Sequence, residues 1–231
     1  MEPPSAHADL PGLKGETRIE EPDRAQRTIA RRSAETRATV PDLELQTEVE
    51  LDAALALAAP PGGSLTAVLV RAAALALREH PRANGAYRDG RFELHSRVNI
   101  GVVFHTPDAY VIPTVLDADC KPVHELTAEL QALGARAGAG DLTPPELAGA
   151  TFTLADLSGL GVDRWSALVT PPQAAALSAG AVRSVPRLRE GSVIAGRTIN
   201  LTLACDHRIL FGARAAAFLR GVAERLERGQ L

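Results

Sequence analysis

The residues best suited to chemistry are Asp206-His207-Arg208, where the alternating apolar segment Ile199, Leu201, Leu203, Cys205 gives way to a glycine-led helix at Gly212. An imidazole held at such a junction can project into a cleft and titrate near neutrality, which suits a general base. The place also suits a structural histidine satisfied by backbone carbonyls, and position alone favours that second role. The other histidines offer less. His80 ends a helical stretch before Pro81, His7 lies in a Pro-rich N-terminal stretch, and His95, His105 and His124 share no metal-ligand spacing. The pair Arg31-Arg32 can bind a phosphate or simply form the solvated face of a helix. No G-x-G-x-x-G or P-loop pattern occurs.

The elements that must hold these residues follow from pattern. Residues 1–22 mix Pro, Gly and charge without a hydrophobic period and are expected to be a flexible arm, leaving 23–231 as the folded domain. A basic helix is expected from about Arg24, stopping ahead of Pro41 because the residue before a proline is pushed out of helical geometry. From 43 to 51, Leu43, Leu45, Thr47, Val49 and Leu51 alternate with Glu44, Gln46, Glu48 and Glu50, the mark of a half-exposed strand. After Gly62-Gly63, Ser64 can cap a helix whose apolar face is Leu65, Val68, Leu69, Ala72, Leu75 and Ala76, ended by His80-Pro81. Strands are expected at 98–106 and 110–116 around a Pro107-Asp108 turn, and at 152–154, 174–182 and 199–205. A helix is expected over 123–137, and a last one from Gly212 to about Arg228 that buries Ala216, Leu219, Val222 and Leu226. Strands and helices interleave without a repeat, so the class is α/β with a mixed sheet.

Composition sets the outer limits. The 231 residues are 45% hydrophobic and 23% charged, enough for a substantial core, and with aromatics at 3% that core must be mostly Ala, Leu and Val. A net charge of −3 gives no reason to expect nucleic acid or an anionic membrane as partner. Cys120 and Cys205 are far apart and outside any C-x-x-C, and are expected to be buried apolar fillers. With no basic-then-apolar N-terminus and no long apolar run, a cytoplasmic location is expected.

A family resemblance emerges in chain order. It is carried by Ile29-Ala30-Arg31-Arg32 with Thr39-Val40-Pro41, then His80-Pro81-Arg82 with Asn84, and Val98-Asn99-Ile100-Gly101-Val102. Val111-Ile112-Pro113, Asp117-Ala118-Asp119 and Leu142-Thr143-Pro144-Pro145-Glu146-Leu147 continue it. Phe152-Thr153-Leu154, Gly161-Val162-Asp163, Pro171-Pro172-Gln173-Ala174-Ala175 and Asp206-His207-Arg208 with Gly212 complete it. From about Arg24 to the C-terminus the chain resembles the catalytic domain of the dihydrolipoyl acyltransferases of 2-oxo acid dehydrogenase complexes.

That resemblance implies a chloramphenicol acetyltransferase-like fold, a mixed-sheet sandwich covered by helices, in a homotrimer whose active sites lie between subunits. It implies coenzyme A or acyl-CoA as substrate, no permanently bound cofactor, no metal, and a lipoyl group supplied by another protein. His207 would be the base that takes the thiol proton, and a Ser or Thr hydroxyl of the neighbouring subunit would bind the oxyanion. Arg208, Gly212 and Arg32 would support the site.

Two positions depart from the family pattern. The motif H-R-x-x-D-G reads His207-Arg208-Ile209-Leu210-Phe211-Gly212, so Phe211 replaces an acid. The segment F-T-I/L-S/T-N reads Phe152-Thr153-Leu154-Ala155-Asp156, so Ala155 replaces the hydroxyl residue. The expectation is a slowed CoA-dependent acyltransferase; the alternative is a non-catalytic homologue serving as a structural core subunit or acyl-CoA-binding scaffold. Tyr110, Trp165 and Phe211 are the bulky residues that could narrow the acyl pocket or simply pack. An arm of about 22 residues cannot hold a lipoyl or subunit-binding domain. Acyl groups would then come from another protein, with other complex components as partners, or the sequence is part of a longer chain. The end Leu226-Glu227-Arg228-Gly229-Gln230-Leu231 offers one apolar knob, so an isolated trimer is expected.

Overall fold

The computed structural model describes residues 15–59, 64–106 and 108–231. Most of the expected arm, the Gly62-Gly63 lead-in and Pro107 lie outside the described residues; 15–22 have no regular structure. In chain order come α1 (Arg24–Thr39), β1 (Asp42–Glu50), α2 (Asp52–Ala58), α3 (Leu65–Glu79), β2 (Gly85–Arg88) and β3 (Arg91–Leu94). Next are β4 (Ile100–Val102), β5 (Phe104–His105), β6 (Tyr110–Val111), β7 (Thr114–Val115) and α4 (Val123–Ala139). The chain ends with β8 (Phe152–Asp156), β9 (Ala175–Ala179), β10 (Arg183–Arg189), β11 (Ser192–Asp206) and α5 (Gly212–Arg228).

Helix boundaries follow local chemistry. Asp23 caps α1 by accepting the Gln26 N–H at 2.8 Å while the Gln26 side chain accepts the Asp23 N–H at 2.9 Å, so two orphan donors are satisfied reciprocally. The Ser64 hydroxyl accepts the Ala67 N–H at 3.1 Å and starts α3. Gly140 and Gly229 close α4 and α5 with positive φ, a conformation that glycine adopts without steric cost.

The main sheet has seven strands in the order β1-β11-β9-β8-β4-β7, with β10 paired to the outer half of β11. It is mixed: β4, β8 and β9 run parallel, and β1, β7, β10 and β11 pair antiparallel. Its two faces differ in chemistry. One face, with Val49, Ile199, Leu201, Leu203, Leu177, Phe152 and Leu154, is buried beneath α3 and α5. Phe152 meets Phe218 of α5 edge to face at 5.7 Å. Alternation places Gln46, Thr202, Ser178 and Ala155 side by side on the opposite face. The irregular segment 157–172 covers that polar face, donating Ala167 N–H to the Ser178 hydroxyl (2.8 Å) and Trp165 Nε1–H to the Ala179 carbonyl (2.9 Å). A Cβ on Gly180 would stand 2.1 Å from the Asp163 carbonyl oxygen, so this close approach requires glycine.

Several expectations need correction. α2, the β2–β3 hairpin and β10 were not expected, and β11 begins at Ser192. The strands expected over 98–106 and 110–116 are broken into four short pieces, with Pro113, which has no N–H to donate, between β6 and β7. α3 is buried on most of its circumference, Ala67, Val70, Ala73, Ala74 and Leu77 included, because α2, α4, α5 and the sheet surround it. On α5 Leu219, Val222 and Leu226 are buried as expected, Ala215 and Phe218 join them in the core, and Ala216 points to solvent. Cys120 is exposed, in a short 3-10 turn, and only Cys205 is a buried filler, its thiol pushed up to about 12 by burial.

Candidate active site

His207 is the first residue beyond β11. Its N–H donates to the Pro41 carbonyl at 2.9 Å, which ties the loop to the junction between α1 and β1. The Ile209 and Leu210 N–H groups donate back to the Asp206 carbonyl, and both side chains are buried. The loop is therefore fixed from below while the His207 side chain stays exposed. Its aromatic neighbour is Phe211, edge to face at 5.8 Å and 87°. Packing alone restrains the imidazole on that side, where an acid would have supplied a hydrogen bond.

Phe211 is the N-cap of α5 and 44% exposed, and its ring can satisfy none of the free N–H groups of the first turn. Gly212 has no steric reason to be glycine: a Cβ there would make one ordinary contact, with Leu43 at 4.0 Å. Arg208 is committed to structure. Its guanidinium donates to the buried Asp206 carboxylate at 2.7–3.1 Å and lies over the Tyr87 ring at 4.9 Å. The Asp206 hydrogen bond raises the Arg208 pKa above its ordinary value. Breaking a pair of this kind leaves a buried charge uncompensated, so Asp206 and Arg208 act as one clamp under His207.

The β2–β3 hairpin forms the wall beside this loop. The Ala174 N–H donates to the Gly85 carbonyl at 2.8 Å, and the Asp206 N–H to the Ala174 carbonyl at 2.8 Å, so hairpin and loop share one backbone relay. The hairpin contributes Tyr87 and Phe92, and Arg82 just before it lies 4.5 Å over Phe92 and 6.0 Å from the Phe211 centroid. None of these was assigned a role from sequence. The Asp89-Gly90 turn, with φ of 50° and 74°, is the signal that could have revealed the hairpin.

Ala155 is elsewhere. It lies on β8, 1% exposed, opposite Ser178 on β9, which in turn pairs with Thr202 on β11. His207 is beyond the end of β11, so strand geometry separates it from Ala155 by about 17 Å along the strands and about 10 Å across them. One chain does not bring the two together. Arg32 lines a cavity of 620 Å³ between α1 and the body, with Thr36, Tyr110, Leu168, Val169 and Pro171, and His207 is not part of that lining. The Thr36 hydroxyl donates to the Val169 carbonyl at 3.0 Å and anchors the end of α1. Trp165 spends its indole N–H on the Ala179 carbonyl, and Tyr110 packs on His105 at 6.5 Å; neither approaches His207. Among the described residues no group of three or more His, Cys, Asp or Glu is placed to hold a metal ion.

Comparison with known proteins gives a consistent answer. The dihydrolipoyllysine-residue acetyltransferase component of the pyruvate dehydrogenase complex of Rhizobium meliloti is 31% identical over 218 residues, which is 89% of this chain and 49% of that protein. The chain spans about half the length of the curated relatives it matches. In structure, the Azotobacter vinelandii dihydrolipoamide acetyltransferase superposes with a TM-score of 0.86 at 23% identity, covering 98% of this chain and 97% of that one. For that enzyme a serine, a histidine and an asparagine are named in the catalytic mechanism. Chloramphenicol acetyltransferase shares the fold more distantly, with a TM-score of 0.51 at 17% identity over 85% of this chain and 94% of that one. Residues 14–231 match the family described as 2-oxoacid dehydrogenases acyltransferase (catalytic domain), and with that match the chain belongs to this family.

Proposed function

We propose that the chain is a CoA-dependent acyltransferase domain that moves an acyl group between CoA and a dihydrolipoyl thiol, with His207 as general base and a weakened oxyanion site. The observation that carries this reading is His207 itself, exposed on a loop fixed by Pro41, Asp206 and Arg208. Spacing supports it. The residues named for the Azotobacter enzyme are separated as Ala155, His207 and Phe211 are separated here, in the order serine, histidine, asparagine. In the forward step the imidazole takes the dihydrolipoyl S–H proton as the sulfur bonds to the thioester carbonyl carbon. The tetrahedral oxyanion collapses, the bond to the CoA sulfur breaks, and the imidazolium returns its proton to the departing thiolate.

Ala155 has no O–H to offer that oxyanion, and one missing donor costs about 2.7–4 kcal/mol, a slowing of roughly 10²–10³. The distance between Ala155 and His207 supports a homotrimer in which the two face each other across subunits, with the lipoyl group carried in on another component of the complex. CoA acts as substrate, with no permanent cofactor. Two free thiols, one of them exposed, fit the reducing cytoplasm. A second reading, a non-catalytic core subunit, draws on the same losses at Ala155 and Phe211.

Transfer from acetyl-CoA and succinyl-CoA to dihydrolipoamide, run beside His207→Ala, separates the two. The acyltransferase reading expects turnover that disappears in the variant, and an unchanged rate in His207→Ala would sink it. No turnover with either donor from a well-folded oligomer would leave the structural role standing.

A further inference from the structure

We propose that Arg82 is a specificity-determining residue of this site and selects a substrate that carries a carboxylate. This rests on the reading of His207 as the base of an acyl transfer. Arg82 follows α3, is half-buried, and holds its guanidinium 4.5 Å over Phe92 and 6.0 Å from Phe211; the Phe211 ring is in turn 5.8 Å from His207. The wall that carries Phe92 is not free to drift, because Ala86 bridges Gln173 and Gly85 accepts from Ala174, whose own carbonyl holds Asp206.

Three of the arginines in this region already have counter-ions. Arg88 pairs with Glu93 at 3.6 Å, Arg208 with Asp206 at 2.7 Å, and Arg78 with Asp119 at 3.4 Å. Arg82 has no carboxylate partner among the described residues. Position 211, where an acid would neutralise it, carries a phenyl ring. What remains, among the described residues, is a planar cation without a carboxylate partner, beside two aromatic rings, one of which also packs on His207.

A guanidinium so placed can take a carboxylate through two parallel N–H donors, and the flanking rings strengthen the bond by displacing water. Phe92 and Phe211, 41% and 44% exposed, can cover the apolar body of the same substrate. Acyl group and acceptor meet at His207, so the carboxylate can belong to either.

Four compounds distinguish the sources. Succinyl-CoA against butyryl-CoA contrasts a carboxylate with a methyl on acyl chains of equal length; dihydrolipoate against dihydrolipoamide makes the same contrast in the acceptor. The wild-type chain should prefer the carboxylate member of one pair by roughly 10–100-fold in kcat/KM, the range expected of a charge-assisted hydrogen bond. Arg82→Gln should bring that ratio close to one. No preference in the wild type, or a preference that survives Arg82→Gln, overturns the proposal. If no pairing turns over, the acyl-transfer reading fails separately. Calorimetric binding of the four compounds then decides: affinity that needs both the carboxylate and Arg82 upholds the inference, and equal binding overturns it.

Discussion

A single oxygen separates Ala155 from a serine, and in the proposed acyl transfer that hydroxyl would donate to the oxygen on which negative charge develops. Ser178 is the adjacent hydroxyl on the same sheet face, where it is fully buried and accepts the Ala167 N–H. Ala155→Ser should therefore raise kcat by roughly 10²–10³ with little change in KM, since the gain is confined to the transition state. A stopped assay with dihydrolipoamide would measure it, and a rise of less than about threefold would show that the oxyanion is bound elsewhere. His207, Ala155 and Phe211 were legible in the sequence because each sits inside a short motif. Arg82, Tyr87 and Phe92 were not, because their meaning comes from contacts between a hairpin and a loop more than a hundred residues further on.

Among the elements, α5 starts badly and ends well. Its N-cap is Phe211, its first turn has no acidic residue, and Arg214 puts positive charge near the positive end of the helix dipole. Phe211→Asp should stabilise the fold by about 1 kcal/mol in urea unfolding, the usual gain from a side-chain cap. A neutral or negative result would mean that the ring's packing on His207 and Arg82 outweighs the cap. At the other end of the core, His80 closes α3 and packs edge to face on Phe218 at 5.9 Å. Burial, with Arg225 adding repulsion and Glu79 opposing it, holds His80 below its ordinary value of 6.5. The folded state therefore resists a proton that the unfolded chain accepts, and stability is lost as pH falls through 6.5 toward the lowered folded value. The melting temperature should drop between about pH 7.5 and about pH 5.5, and His80→Gln should flatten that drop.

Of the helices, α1, α3, α4 and α5 were readable from pattern, with the Ser64 cap agreeing with the period of α3, and α2 was not. The outer half of β11 was not, since it pairs with β10 alone, is exposed on both faces, and so carries no alternation. Both missed hairpins nevertheless advertise themselves, at Asp89-Gly90 and Glu190-Gly191, where two successive residues of positive φ make a tight reversal.

At the scale of the whole molecule, Ala155 and His207 lie far apart on one sheet, a separation no side-chain motion can close. The β10–β11 hairpin leaves Leu188 and Val193 largely exposed at its tip, with Ile194 beside them, a surface that a second copy of the chain can cover. A shared site also makes a prediction that no single-chain site can match. A chain carrying both His207→Ala and Ala155→Ser is dead by itself, yet in a mixed trimer it offers a serine to a wild-type neighbour's His207. Co-assembling this double variant with the wild type and measuring acyl transfer to dihydrolipoamide is the most direct test. If the site is shared and His207 is its base, adding the dead chain should raise the rate per wild-type chain at least about tenfold, because about half of the wild-type histidines in an equal mixture would face a serine. If the rate per wild-type chain stays flat or falls as the dead chain is added, the shared-site acyltransferase account is contradicted.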